Sequence, residues 1–159
     1  VALLRLHENV ASRLIIEITE TAAIHDIENA RGFVTRVRDL GARIAIDDFG
    51  AGYTSFRNLR KLGVDMIKID GEFIERLVRS DDDRSFVPAM IDLGRRLNLK
   101  TVAECVQDEQ TAAILAAWGC DYLQGNYIGR AAHDRPLLIT RAQERKISEA
   151  CAIWNPALT

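Results

Sequence analysis

The chain has 159 residues, 48% hydrophobic and 28% charged. Those values suit one soluble globular unit that buries roughly two thirds of its unfolded surface, and they argue against disorder. With 21 basic and 23 acidic residues the formal net charge is -2, so there is no clustered positive excess to favour a nucleic-acid polymer or a membrane surface.

Cys105, Cys120 and Cys151 include no close pair, which excludes a disulfide framework or a zinc ribbon and fits a reducing cytoplasm. No apolar run approaches the ~20 residues of a membrane span, and Arg5, His7 and Glu8 interrupt the opening Val1-Ala2-Leu3-Leu4, unlike a secretion signal. Because the first residue is not methionine, the expectation is that Val1 lies inside a longer protein.

In chain order, residues 1–10 read as the end of an amphipathic helix, followed by a strand over Leu14–Ile18 and then Thr19, Glu20 and Thr21. Asp26 is placed as the cap of a helix to about Leu40, with Ile27, Ala30, Phe33, Val34 and Val37 on one face and Gly41 as its stop. A strand over Arg43–Asp47 follows, then a second acid, Asp48, and the loop Gly50-Ala51-Gly52. Ser55–Leu62 reads as a short helix, Asp65–Asp70 as a third strand, and Gly71 to about Val78 as another short helix. Arg79–Arg84 is expected to be a charged turn or helix cap, and Ser85–Leu97 an amphipathic helix. Lys100–Ala103 is a fourth strand ending at Glu104, Asp108–Trp118 a helix, and Asp121–Leu123 a fifth strand ending at Gln124-Gly125. Tyr127–Ala131 could add a sixth strand, Arg135–Cys151 a helix, and the tail with Trp154 and Pro156 is expected to be loose.

Strands alternating with helices imply βαβ units and a parallel sheet. Each strand ends in a polar group, namely Glu17, Asp47, Lys68, Glu104 and Gln124. Functional groups at the carboxyl ends of several consecutive strands favour a (β/α) barrel of the TIM type over an open doubly wound sheet. If those five residues point inward, Ile16, Ile18, Ile46, Ile67, Ile69, Ala103 and Leu123 point outward to the helices. A full barrel takes ~250 residues, so the expected architecture is an incomplete barrel lacking about two N-terminal βα units. The boundaries are 1–133 for the partial barrel and 134–159 for a C-terminal helix and tail.

Adjacent Asp47 and Asp48 repel unless a cation separates them, and carboxylate oxygens suit magnesium, manganese or calcium. Taken alone, the pair would more often cap a helix, and the repeat of the pattern at other strand ends is what favours the cation. Lys68 could hold a water or a phosphate oxygen, or brace Asp70 in a buried ion pair. The glycine loop could be a gate or an ordinary connection. His7, His25 and His133 are scattered and read as surface residues. Cys105 reads as a small buried apolar group, and Trp118 and Phe86 as core.

The runs Glu17-Ile18-Thr19-Glu20, Asp47-Asp48-Phe49-Gly50-Ala51-Gly52-Tyr53, Ile67-Lys68-Ile69-Asp70, Val102-Ala103-Glu104-Cys105-Val106-Gln107 and Gln124-Gly125 resemble, in order and spacing, the EAL-domain phosphodiesterases. The resemblance covers Leu14 to about Ala131. It implies a (β/α)8-like barrel that hydrolyses the bacterial second messenger cyclic di-GMP to linear pGpG with magnesium or manganese. It further implies that Glu17 and Asp47 are metal ligands and that Asp48 serves a second metal position. Glu20 would brace the loop after Asp48, Lys68 would contact the nucleophilic water, Glu104 would be a metal ligand or general base, and Gln124 would line the binding site. A homo-oligomer in the bacterial cytoplasm, within a larger multidomain or membrane-anchored protein, is the expected setting.

The chain also departs from the family pattern. No Glu-Ala-Leu run occurs in it, so the first-strand glutamate ligand and the second-strand asparagine are lacking. Cys105 stands where the family has glycine and Gln107 where it has glutamate, and an amide cannot carry metal charge or act as a base. The expectation is that the isolated chain is inactive, either as the C-terminal part of an enzyme or as a degenerate module that binds the nucleotide or a protein partner.

Overall fold

The computed structural model describes residues 1–6, 8–52 and 56–130. The elements are α1 (Ala2–Leu6), α2 (Glu8–Ala11), β1 (Ile15–Thr19), α3 (Glu20–His25), α4 (Ile27–Arg38), β2 (Arg43–Phe49), α5 (Phe56–Leu62), β3 (Met66–Ile69), α6 (Gly71–Glu75), α7 (Asp81–Arg96), β4 (Lys100–Ala103), α8 (Glu109–Ala117) and β5 (Tyr122–Leu123). The five strands form one sheet in the order β1-β2-β3-β4-β5, and every neighbouring pair is parallel. Sequential parallel strands with helices between each successive pair are an arc of a (β/α) barrel.

The two faces of the arc carry different side chains. Ile44, Ile46, Phe49 and Ile67 face outward and pack with Val34, Val37, Leu59 and Leu62 of α4 and α5. Ile69 and Ala103 join Ile74, Val87, Ile91 and Leu115 of α6, α7 and α8. On the inner face Ala45, Met66 and Val102 form a separate small cluster, a layer two residues below Asp47, Lys68 and Glu104. The expected parity of inward and outward residues is thus the one the packing adopts.

Two aspartates hold the amino ends of the strands in register. Asp65, just before β3, accepts a hydrogen bond from the Ile44 backbone N–H at 2.8 Å and pairs with Arg38 at 3.2 Å. Asp121, just before β5, accepts from both the backbone N–H and the hydroxyl of Thr101, each at 3.0 Å, and pairs with Lys100 at 2.6 Å. Each follows a glycine with positive φ that ends the preceding helix, Gly63 (φ 71°) and Gly119 (φ 81°). At the other end of β5, a Cβ on Gly125 would overlap the Val106 backbone. Its absence lets Val106 donate to the Gln124 carbonyl and accept from Tyr127 N–H, both at 3.0 Å.

Several expectations are corrected. Of the two alternatives for the acidic run Asp81-Asp82-Asp83, the helix end holds and the turn does not: it is the first turn of α7, capped by Ser80, whose hydroxyl accepts from Asp83 N–H at 3.1 Å. Negative charge there complements the helix dipole. β2 extends past Asp47 to Phe49. Residues 20–25 form a helix of their own, capped by Thr19. Residues 126–128 form a turn, so no sixth strand begins at Tyr127. Phe86 is 56% exposed and not core, whereas Trp118 packs against the second cluster. The helix expected over Arg135–Cys151 and the tail lie outside the described residues, as do His7 and His133. No helix among the described residues is long and apolar enough to cross a membrane.

Burial opposes ionisation of Asp121, but the hydrogen bonds from Lys100 and Thr101 outweigh it and hold its carboxyl below the usual range. Asp121→Ala should lower stability by about 1–3 kcal/mol, read as an earlier midpoint in chemical denaturation. The wild-type advantage should be full above the unfolded-state pKa, about 4, and fade as pH falls through the depressed folded value. An unchanged midpoint would show that the pin contributes nothing.

Candidate metal centre

Each strand delivers one group to the carboxyl end of the sheet. Register brings them together, since Thr19 lies beside Asp47 and Lys68 beside Val102. The β2–β3 pairing contains an irregularity. Ile46 pairs with Ile67 and Phe49 with Ile69, so Asp47 and Asp48 together oppose Lys68. This bulge has Asp48 in the left-handed region, φ 53°, at a cost of roughly 1 kcal/mol for a non-glycine residue. It keeps Phe49 in the outer core and lets Asp48 join Asp47 at the rim.

Lys68 lies at the centre, only 4% exposed. Its Nζ donates to Glu104 Oε1 at 2.6 Å, Asp47 Oδ1 at 2.7 Å and Glu17 Oε2 at 2.9 Å. Burial alone would lower its pKa, but hydrogen bonds to Asp47, Glu104 and Glu17 more than offset that and raise it above the ordinary lysine value. The ammonium therefore stays charged at neutral pH. Glu104 behaves oppositely, because burial pushes its carboxyl up against the pull of Lys68, with Asp47 and Glu17 adding to the rise. A raised carboxyl is better matched to proton transfer than an ordinary one.

Asp47, Asp48 and Glu104 each place a carboxylate oxygen within 4.8 Å of the others, a hard-oxygen set that fits a divalent cation such as magnesium, manganese or calcium. Glu17, 45% exposed at its side chain, contacts Lys68 instead of completing that group. The alternative in which Lys68 braces Asp70 is not adopted, since Asp70 caps α6 through Glu72 N–H at 2.9 Å.

The loop after β2 is held from β1's side. Glu20, 2% exposed, accepts hydrogen bonds from Gly50 N–H at 2.9 Å and Gly52 N–H at 3.2 Å. A Cβ at Gly52 would lie 2.7 Å from Glu20 Oε1, and one at Gly50 (φ 106°) 2.9 Å from Phe73. Close approach thus favours glycine at both positions, and at Gly50 the left-handed backbone does so as well.

On the far side, Gln124 is exposed, and its backbone N–H donates to Ala103 and its carbonyl accepts from Val106, the residues flanking Glu104-Cys105. Cys105 has φ 53° and is exposed rather than buried. Partial desolvation of the thiol and the nearby Glu75, Glu104 and Asp70 push it up, so it is not an activated thiolate. Gln107 Oε1 accepts from Asn126 Nδ2 at 2.9 Å. That amide pair had no signal in sequence beyond Gln107 itself.

A carboxylate group of this kind, able to hold a cation, at the carboxyl ends of parallel strands places the chain among (β/α) barrels with an acidic rim. The EAL domain model matches residues 1–131, and the chain belongs to the EAL domain family. It is 41% identical over 141 residues to the bifunctional diguanylate cyclase/cyclic di-GMP phosphodiesterase MucR of Pseudomonas aeruginosa, covering 89% of this chain but 20% of that protein. The solved structure of the PaMucR phosphodiesterase in a c-di-GMP complex superposes with a TM-score of 0.76 at 43% identity over 81% of this chain and 52% of that one. The Klebsiella pneumoniae BlrP1 manganese/c-di-GMP complex does so with 0.70 at 30% identity, over 76% and 31%. The chain thus spans about a fifth of the length of MucR, and its sheet is part of a TIM-type barrel.

Glu20→Ala should remove the acceptor for two loop amides. By hydrogen exchange, Gly50 and Gly52 should lose about tenfold or more in protection, ~1.4 kcal/mol, while the β2–β3 ladder keeps its own. Equal loss across the ladder would mean that Glu20 supports the fold at large and not the loop.

Proposed function

We propose that this chain is the C-terminal part of a cyclic di-GMP phosphodiesterase site, using magnesium or manganese to hydrolyse the nucleotide to linear pGpG within a longer bacterial protein. The observation that carries this reading is the convergence of Asp47, Asp48 and Glu104 beside a buried Lys68. A divalent cation held there supplies a water acidified toward neutral pH and charge for the leaving oxygen. Asp47 and Asp48 serve as ligands, with Glu17 a further ligand when the rest of the barrel is present. Lys68 orients the attacking water or a phosphate oxygen. Glu104 takes the water's proton or binds the ion, a dual use that its raised carboxyl suits. Glu20 keeps the Gly50–Gly52 loop in place at the rim, and Gln124 lines the nucleotide side.

The second reading is a degenerate module that binds the nucleotide, or a partner, without turnover. It is favoured by Gln107, whose amide is engaged with Asn126, and by the lack of a Glu-Ala-Leu run. Self-association of the isolated chain, through the edge left open when upstream strands are missing, is a further part of the proposal. β1 is an edge strand of the described sheet, with Leu14 37% and Ile15 41% exposed, and such edges recruit strands. Residues 1–133 act as the barrel part, and the site is cytoplasmic.

The 159-residue chain incubated with cyclic di-GMP and manganese should yield no pGpG by chromatography. A fusion supplying upstream strands that carry the Glu-Ala-Leu glutamate and the asparagine should yield it. Calorimetric binding by that fusion without pGpG would select the second reading, and absence of both would sink the nucleotide assignment.

A further inference from the structure

The rim carboxylates fall into two overlapping sets. Glu17, Asp47 and Glu104 hold the Lys68 ammonium, whereas Asp47, Asp48 and Glu104 share the point a divalent ion would take. Asp47 and Glu104 belong to both. Lys68 has little room to withdraw, being 4% exposed on a strand flanked on both sides by β2 and β4. Its contacts to the two shared carboxylates, 2.7 and 2.6 Å, are shorter than its 2.9 Å contact to Glu17. An ammonium and a divalent cation drawing on the same two carboxylates repel one another across a site only partly open to water.

We propose that Lys68 is a resident counter-cation that competes with the divalent ion for Asp47 and Glu104, so that metal affinity at this rim is set against the lysine's own ion pairs. This rests on the metal reading above and extends it. Lys68 becomes a brake on metal loading as well as a group facing the reacting water. Coupling of this kind is reciprocal, so a bound ion weakens the lysine's hold on Asp47 and Glu104 as much as the lysine weakens the ion's. Glu17, which contacts the ammonium and stands outside the shared set, is the acceptor left to it when the ion binds.

The test uses the whole chain and Mn2+ alone. By calorimetry, Lys68→Met should bind Mn2+ at least tenfold more tightly than wild type, while Lys68→Arg, which keeps the charge, should stay near wild type. Mn2+ should also raise the melting temperature of Lys68→Met more than that of wild type. Should Lys68→Met not fold, 15N-lysine labelling of the wild type gives an independent reading. The Lys68 ammonium resonance should move on Mg2+ titration and saturate with the calorimetric affinity. Equal or weaker Mn2+ binding by a folded Lys68→Met, or a Lys68 resonance unmoved at Mg2+ saturation, would overturn the proposal while leaving the metal site intact. Failure of both wild type and Lys68→Met to bind Mn2+, in this chain and in the fusion that supplies the upstream strands, would overturn the metal reading along with it.

Discussion

The buried ammonium of Lys68 is the contact on which the carboxyl end of this sheet depends. Through it β3 is joined to Glu17 on β1, Asp47 on β2 and Glu104 at the end of β4. Four rim carboxylates against one ammonium leave an excess of three negative charges in a partly shielded space. Removing the ammonium would set those carboxylates against each other, and removing a carboxylate would leave a buried cation less well paired. The arrangement is tolerable because the ammonium is shared among three acceptors, and because Asp48 and Glu17 keep access to solvent.

The bulge in β2 makes that cluster possible. In a strictly alternating strand, Asp47 and Asp48 would point to opposite faces, and Asp48 would enter the layer of Ile46 and Leu59. Inserting one residue opposite Lys68 turns both acids to the inner side and restores Phe49 to the outer core. The left-handed backbone at Asp48 is the conformational cost. Its counterpart at Cys105 (φ 53°) comes directly after Glu104, so all three carboxylates that could hold an ion sit at or beside a left-handed residue. Strain of this sort persists where surrounding contacts over-determine the backbone. Here Glu20 holds the amides that follow Asp48, and β5 holds Val106 after Cys105.

Most of the architecture was legible in the residues. Alternation in Ile44–Ile46 and Ile67–Ile69, with a polar group closing each strand, sufficed for a parallel sheet with an inward rim. The site candidates Asp47, Lys68 and Glu104 followed from the same parity. What was not legible has a common cause, which is that it depends on pairing between distant segments. Nothing local in Asp47-Asp48-Phe49 announces a bulge. Nothing in Lys68-Ile69-Asp70 says that the lysine will turn to three carboxylates while Asp70 caps a helix. The acidic run at Asp81–Asp83 was ambiguous, because side chains that suit a solvated turn also suit the first turn of a helix. Cys105 looked like a core residue by type and is instead exposed at a strained corner.

Carboxylates serve this chain in two separate capacities at its two ends. At the amino ends, Asp65 and Asp121 are tied to the backbone N–H groups of Ile44 and Thr101 as well as to a cation, so their negative charge is committed to strand alignment. At the carboxyl ends, Asp47, Asp48 and Glu104 face only one another and a side-chain ammonium among the contacts described. Alignment of the strands therefore does not rely on which groups the rim carries. That separation allows the chemistry of the rim to differ while the scaffold persists.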